Sequence, residues 1–280
     1  MSREQDQQGR VALVTGANTG IGLVTARELA ARGARVFIAC RSVERARPAI
    51  ETILHDTGKT VEALPLDLGD FASVRGAAKA FLETGAPLHL LINNAGLAGV
   101  RGLSRSGFEV AFGVNHLGHF LLTQLLRERL EQSGSGRIVN VASKAHYDVE
   151  EFPWDSLTRK TRTITAVPEY GVSKLANVLF SVALAKRLAG TGVTTYSLHP
   201  GVIASDVWRK VPWPIRPLIK MGMISTEEGA KTTLYCATSP EVGGHSGLYY
   251  DSCHAKEPSA LARDPELAER LFTESERWVA

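Results

Sequence analysis

Cysteine is scarce in this chain: Cys40, Cys236 and Cys253 are the three among 280 residues, too widely separated for any Cys-x-x-Cys pair. Their spacing excludes a disulfide framework and a cysteine-ligated zinc module, and it fits a reduced compartment. Long apolar runs are also lacking. Nowhere do about 18 consecutive apolar residues occur, and Met1 to Arg10 is polar, without the apolar core of a signal peptide. The expectation is a soluble, cytoplasmic protein with no membrane anchor. Charge imbalance is small, with 32 Lys and Arg against 29 Asp and Glu, a formal net charge of +3 and no basic stripe interleaved with aromatics. A nucleic-acid platform is therefore not expected. Internal repeats, low-complexity tracts and Pro/Gly/Ser linkers long enough to split the chain are absent from the sequence.

What is present is an apolar chain with a strict rhythm. At 44 % hydrophobic and 22 % charged residues, it suits one large domain with a well-buried core. Val11 to Thr15, Arg35 to Ala39, Val61 to Leu66, Leu88 to Ile92, Arg137 to Val141 and Thr194 to Leu198 read as buried strands, with Leu248 to Tyr250 as a short last one. Helical patterns lie between them, near Gly20 to Arg32, Val43 to Thr57, Phe71 to Glu83, Gly107 to Gln132, Glu169 to Gly190 and Thr226 to Thr238. Pro265 to Val279 reads as an amphipathic helix that packs on its own domain or on another subunit. Regular β-α alternation demands a parallel sheet with right-handed crossovers and helices on both faces. The expected fold is α/β: a single doubly wound, Rossmann-like domain over residues 1–280. Two segments break the rhythm, His146 to Pro168 and Ser205 to Ile224, and both are candidate substrate-facing loops.

The first strand ends in Thr15-Gly16-Ala17-Asn18-Thr19-Gly20-Ile21-Gly22 and a helix follows. Gly16 permits a tight exit, Gly20 lets a pyrophosphate approach the backbone, and Gly22 lets the helix pack on the sheet, its N-terminus attracting phosphates. After the second strand, where a fold that prefers NAD places an acid for the ribose hydroxyls, the chain reads Ile38-Ala39-Cys40-Arg41-Ser42. Arg41 offers a planar cation suited to a 2′-phosphate, which favours NADP; the alternative is a surface arginine opening a helix. Asp67-Leu68 follows the third strand, where an acid can meet the adenine amino group. Asn93-Asn94-Ala95-Gly96 follows the fourth, where small residues let a ribose pass, and Asn93 reads equally as a turn residue.

Tyr170 and Lys174 stand four residues apart on a helical pattern, so they share a face. An unperturbed tyrosine titrates near ~10, and a unit charge ~4 Å away at an effective dielectric of ~20 contributes about 4 kcal/mol, or roughly three pKa units. The ammonium is thus expected to make the phenol acidic. Taken alone, Tyr-x-x-x-Lys is a weak pattern. Its partners strengthen it. Asn115 lies in the apolar helix segment Phe112-Gly113-Val114-Asn115-His116-Leu117-Gly118-His119-Phe120, where its amide either serves the site or bends the helix. Ser143 follows Ile138-Val139-Asn140-Val141-Ala142 at the carboxyl edge of the sheet, and Pro200-Gly201 ends the next strand at the same edge.

Together the glycine turn, Asn93-Asn94-Ala95-Gly96, Asn115, Ser143, Tyr170-x-x-x-Lys174 and Pro200-Gly201 resemble the short-chain dehydrogenase/reductase family, in that family's order and over nearly the whole chain. Ala39-Cys40-Arg41, Val114 to Phe120, Ser173 to Asn177 and Leu198-His199-Pro200-Gly201 further resemble its retinol-dehydrogenase-like branch, whose members mostly use NADPH on carbonyls of lipophilic substrates. The resemblance implies an NADP(H)-dependent interconversion of an aldehyde or ketone with an alcohol. Tyr170 would exchange the proton, Ser143 hold the substrate oxygen, Lys174 tune the phenol and hold a ribose, and Asn115 anchor a water that links Lys174 to solvent. It implies a cofactor site of Gly16, Asn18, Thr19, Gly20, Ile21, Gly22, Arg41, Asp67, Leu68, Asn94, Ala95, Gly96, Tyr170, Lys174, Pro200, Gly201, Ile203 and Ser205, no metal, a small lipophilic carbonyl or alcohol substrate, and a homo-oligomer, dimer or tetramer.

Three departures qualify the match. Ser143 and Tyr170 are 170 − 143 = 27 positions apart, a longer gap than most family members have, and Tyr147, Phe152, Trp154 and Arg159 in it are expected to line or lid the site. No amino-terminal anchor of the kind many animal retinol dehydrogenases carry is expected from Met1 to Arg10, which disfavours bilayer retinoids as the expected substrate. Ser205 stands where the family commonly has threonine. His116 and His119, one turn apart, and His245, Cys253 and His254 read as structural rather than metal-binding. Trp208, Trp213 and Ile215 among Pro212, Pro214 and Pro217 read as an apolar flap or a membrane-touching segment. Two other functions share this scaffold: transient-oxidation chemistry such as epimerisation or dehydration, and NADPH sensing without turnover.

Overall fold

The computed structural model describes residues 6–201 and 224–280. Among the described residues, strands β1 (Val11–Thr15), β2 (Arg35–Cys40), β3 (Glu62–Pro65), β4 (Leu90–Asn93), β5 (Arg137–Val141), β6 (Thr194–His199), β7 (Leu248–Asp251) and β8 (His254–Lys256) form one sheet, ordered β3-β2-β1-β4-β5-β6-β7-β8. All neighbouring pairs are parallel except β7 and β8. The inner strands are buried on both faces, as the apolar run of β1 requires: every one of its residues is buried. The last strand has no apolar pattern to announce it. It forms because Ser252 and Cys253 take positive φ angles of 53° and 63°, the geometry of a two-residue turn that folds the chain back onto β7.

Helices α1 (Gly20–Ala31), α2 (Val43–Thr57) and α6 (Thr226–Thr238) cover one face, where Ala26, Leu29, Ala46, Ile53 and Cys236 pack against β1, β2 and β4. Helices α3 (Phe71–Glu83), α4 (Val110–Phe112, Gly113–Leu117 and Gly118–Glu131 in succession), α5 (Val167–Arg187) and α7 (Pro265–Val279) cover the other. Caps agree with the sequence. Ser42 Oγ accepts from Arg45 N at 3.4 Å, and Asp70 and Asp264 carboxylates accept from the first turns of α3 and α7. Helix α7 packs on its own domain: Phe272 lies 5.0 Å from Phe120 between ring centroids, and the Arg187 guanidinium sits 3.7 Å over the Phe272 ring.

The stretch expected as one helix from Gly107 to Gln132 differs. Helix α4 begins as Val110–Phe112, widens into a π-turn at Gly113–Leu117, and resumes as Gly118–Glu131. Its start is set by Glu109, whose buried carboxylate accepts from Ala111 N at 2.8 Å and Phe112 N at 3.0 Å. Two glycines flank the π-turn because neighbours press on it. A Cβ at Gly113 would meet Ser104 Oγ at 2.7 Å, and one at Gly118 would run into the Leu68 carbonyl.

The segment from His146 to Pro168 is fastened to the domain. Thr161 Oγ1 donates to Glu109, Leu157 O accepts from Glu109 N at 2.8 Å, and Glu169 accepts from Thr163 N at 3.0 Å. Phe152 is buried in the core, the Arg270 guanidinium lies 4.1 Å over Trp154, and Tyr147 donates from its hydroxyl to Glu257 O at 2.5 Å. Tyr147, Phe152, Trp154 and Arg159 do not line the cavity described below, contrary to the expectation: Trp154 packs on Trp278 and Arg270 of α7, Phe152 packs on Trp154, and Tyr147 lies beside His146 and Tyr249. The other interrupting segment, from Ser205 on, lies almost entirely outside the described residues, with Ile203, Trp208, Trp213 and Ile215. No helix among the described residues is long and apolar enough to cross a membrane.

Candidate active site

The strand order reverses between β1 and β4, and the crevice at their carboxyl ends opens into a cavity of about 600 Å³. Gly16, Asn18, Thr19, Gly20, Ile21 and Gly22 line one side of it, and Asn94, Ala95 and Gly96 the floor. The glycines are required by crowding and by backbone. Gly16 has φ +65°, and a Cβ there would meet Ala95 Cα at 2.9 Å; at Gly22 it would meet Asn94 Nδ2 at 2.5 Å and Gly16 O at 2.6 Å. Gly20, φ +60°, has nothing within 4 Å of its Cβ position. Helix α1 starts here with no acidic residue in its first turn, so its positive end is available to an anion. Thr15 ties the floor to the turn: its Oγ1 accepts from Asn94 N and Ala95 N, each at 2.9 Å, and its carbonyl accepts from Asn94 Nδ2 at 2.7 Å.

At the far end stand Arg41, Asp67 and Leu68. Arg45 lines the cavity too. Sequence reading passed over Arg45 because it lies within a helix, although its place one turn after the Ser42 cap could have signalled it. Two guanidinium groups and no acid at the end of β2 suit a phosphate rather than a bare ribose diol. Asp67 Oδ1 accepts from Gly69 N at 3.0 Å, which orients the carboxylate.

Ser143, Tyr170, Lys174, Pro200 and Gly201 close the near end of the same cavity. Ser143 caps the short turn after β5, and the Tyr170 hydroxyl bonds to it. Lys174 is buried, donating from Nζ to Val141 O at 2.7 Å, and sits 5.6 Å over the Tyr170 ring centroid. The expectation that the ammonium acidifies the phenol is not met. Burial raises the Tyr170 phenol above its ordinary value, the Ser143 hydrogen bond opposing it, and burial lowers Lys174 to about 7. The physical reason is shared: a site poor in water disfavours both charges, and Nζ faces the ring and a carbonyl.

Asn115 does not line the cavity; it lies beneath, in the π-turn. Its Oδ1 accepts from Leu97 N at 2.9 Å, while its Nδ2 donates to Leu97 O at 3.0 Å and to Ser173 Oγ at 2.9 Å. The amide thus binds the loop after β4 to helix α5. Asn93 donates to Asn140 Oδ1 at 2.8 Å and to Thr123 Oγ1 at 3.0 Å, a structural amide bridging β4, β5 and α4. Leu97, Ala98, Val100 and Val114 add apolar lining that sequence reading did not single out. Cofactor candidates Ile203 and Ser205 lie outside the described residues. His116 bonds Ser275 Oγ at 3.0 Å, and His245 and His254 bond Tyr250 and the Ser252 carbonyl separately. Among the described residues no group of three or more His, Cys, Asp or Glu could hold a metal ion.

Comparison with known proteins adds the following. A model of the short chain dehydrogenase family matches residues 10–154. The chain is 46 % identical over 275 residues to retinol dehydrogenase 12 of Homo sapiens, covering 95 % of this chain and 85 % of that one. It is 44 % identical over 272 residues to retinol dehydrogenase 11 of Homo sapiens, covering 94 % and 84 %. Among solved structures, an uncharacterized protein from Mycobacterium paratuberculosis superposes with a TM-score of 0.79 at 33 % identity, over 97 % of this chain and 94 % of that one. A variant of the actinorhodin polyketide ketoreductase with NADPH superposes with a TM-score of 0.68 at 26 % identity, over 88 % and 96 %.

Proposed function

The chain belongs to the short chain dehydrogenase family, in its retinol-dehydrogenase-like branch, and from that premise we propose that it is an NADP(H)-dependent oxidoreductase interconverting a lipophilic aldehyde or ketone with its alcohol. One observation carries the reading: Ser143, Tyr170 and Lys174 share a single cavity with the glycine turn and the Arg41–Arg45 pair. A nicotinamide held there supplies or accepts the hydride. Gly16, Gly20, Gly22 and the start of α1 would hold its phosphates, Asp67 and Leu68 its adenine, and Arg41, Arg45 and Ser42 its 2′-phosphate.

The chain's own work is proton transfer and placement. Tyr170 gives its phenolic proton to the substrate oxygen in the reductive direction and takes it back in the oxidative one. The Ser143 hydroxyl donates a hydrogen bond to that oxygen, so negative charge gathering there meets a fixed dipole. Lys174, with Nζ beside the Tyr170 ring and bonded to Val141 O, would hold the nicotinamide ribose. Leu97, Ala98, Val100 and Val114 favour an apolar substrate body. Scarce, distant cysteines suit a reducing cytoplasm, and the family resemblance favours a homo-oligomer, which light scattering would test.

Tyr170→Phe tests the assignment. NADPH binding, followed by its fluorescence, should persist, while turnover across a panel of lipophilic aldehydes and ketones should fall by on the order of a hundred-fold or more. A variant with near-normal turnover refutes Tyr170 as the acid/base, and wild-type protein that binds NADPH without turning over any carbonyl or alcohol points to a sensor.

A further inference from the structure

His119, on α4 one turn after Asn115, has no part in the proton chemistry above, yet both its ring nitrogens are committed. The ring is buried, and burial lowers it to about 4, so at neutral pH it is uncharged and offers one donor and one acceptor. Nδ1 lies 2.9 Å from the Asn115 carbonyl oxygen. A carbonyl only accepts, so Nδ1 carries the hydrogen and Nε2 is the acceptor. Nε2 lies 2.8 Å from Thr15 Oγ1, so the Thr15 hydroxyl donates to it. That assignment completes Thr15, whose oxygen already accepts from Asn94 N and Ala95 N, and whose other acceptor, Ile92 O, is farther away at 3.3 Å.

The bonds then run in one direction through the interior. Thr15, at the mouth of the glycine turn, donates to His119, and His119 donates to the Asn115 carbonyl inside the π-turn. From the same residue Asn115 Nδ2 donates to Ser173 Oγ at 2.9 Å, and Ser173 Oγ donates to the backbone carbonyl of Tyr170 at 2.7 Å. The path joins the phosphate-binding turn to the backbone of the proton donor across β1, α4 and α5. Removing His119 would leave the Asn115 carbonyl short of a donor and free the Thr15 hydroxyl to rotate toward Ile92.

Resting on the proposed NADP(H) chemistry, we propose that His119 is a positioning residue that holds the glycine turn in register with the Tyr170–Lys174 helix. The two halves of the site otherwise come from strands and helices far apart in sequence, and a shift of a few tenths of an ångström between them would misplace a cofactor relative to the phenol.

A double-mutant cycle on NADPH binding tests this. His119→Phe keeps the ring volume but loses both bonds, and Thr15→Val loses the shared one together with the acceptor for Asn94 N and Ala95 N. His119→Phe should weaken NADPH binding by roughly ten-fold, the cost of an unmade buried hydrogen bond, and Thr15→Val by more, since it also leaves Asn94 N and Ala95 N without their acceptor. The double variant should bind little worse than Thr15→Val alone, whereas independent structural damage would weaken binding by roughly a further ten-fold. His119→Gln, with a donor and an acceptor at similar spacing, should recover most of the binding. Single variants that bind NADPH as tightly as wild type, or effects that multiply, overturn the proposal, even if thermal stability falls. A wild-type chain that binds no nicotinamide cofactor overturns the functional reading, and this proposal with it. Long-range ¹⁵N correlation on the wild-type protein gives a check free of variants: an Nδ1–H tautomer at His119 is expected, and an Nε2–H tautomer overturns the assignment.

Discussion

Replacing Lys174 by methionine should stabilise the cofactor-free protein while abolishing its turnover. The ammonium is buried and titrates at about 7, against 10.5 for an ordinary lysine. That gap, 10.5 − 7 = 3.5, sets a ceiling of about 5 kcal/mol at ~1.4 kcal/mol per pKa unit. Water in the adjoining cavity lowers it. Methionine fills a similar volume without a charge, but gives up the bond to Val141 O, which costs about 1 kcal/mol. A net gain of roughly 1 to 3 kcal/mol at neutral pH follows. The sign with pH is definite. Because the folded value lies below the unfolded one, the unfolded chain holds more protons between about pH 7 and 10.5, so this group makes wild-type stability rise with pH across that window. The variant has no such slope, and its advantage should be largest at and below about pH 7 and shrink toward pH 10. Urea melts of both proteins at several pH values measure it. A methionine variant less stable than wild type near neutrality, or an advantage that does not change with pH, would refute the desolvation argument.

Other predictions follow from the same geometry. Arg41→Ala and Arg45→Ala should each raise the dissociation constant for NADPH by about ten-fold and leave NADH nearly unchanged; equal losses for both cofactors would remove the 2′-phosphate role. Gly22→Ala places a methyl 2.5 Å from Asn94 Nδ2 and 2.6 Å from Gly16 O, so calorimetric NADPH binding should be lost along with several degrees of thermal stability. Glu109→Ala unties the start of α4 and the Thr161 anchor at once, and chemical denaturation should show a loss of about 1 to 3 kcal/mol. A variant as stable as wild type would sink that account.

Local elements are legible in the sequence wherever a single chain segment carries its own signal. Helices α2 and α3 start at Ser42 and Asp70 because each side chain caps its own helix, and β1 and β5 are apolar runs bounded by turn residues. Elements whose cause lies elsewhere in the chain are not legible there. The π-turn at Gly113–Leu117 depends on Ser104 and Leu68 pressing on glycines, and the site-facing role expected of Phe152 and Trp154 is lost to packing, Trp154 on Trp278 and Arg270 and Phe152 on Trp154.

The sequence by itself determined the alternation that makes a doubly wound sheet, the glycine turn after β1, and the four-residue spacing that puts Tyr170 and Lys174 on one helical face, because these depend on periodicity and on conformations open to glycine alone. Tertiary structure alone decided what those groups feel. It brought Arg45 beside Arg41, buried Lys174 against Val141 so that its proton is loosely held, and linked Thr15 to Tyr170 through His119 and Asn115. Burial and hydrogen-bond direction are properties of neighbours, and the neighbours of these residues come from strands and helices remote in the chain.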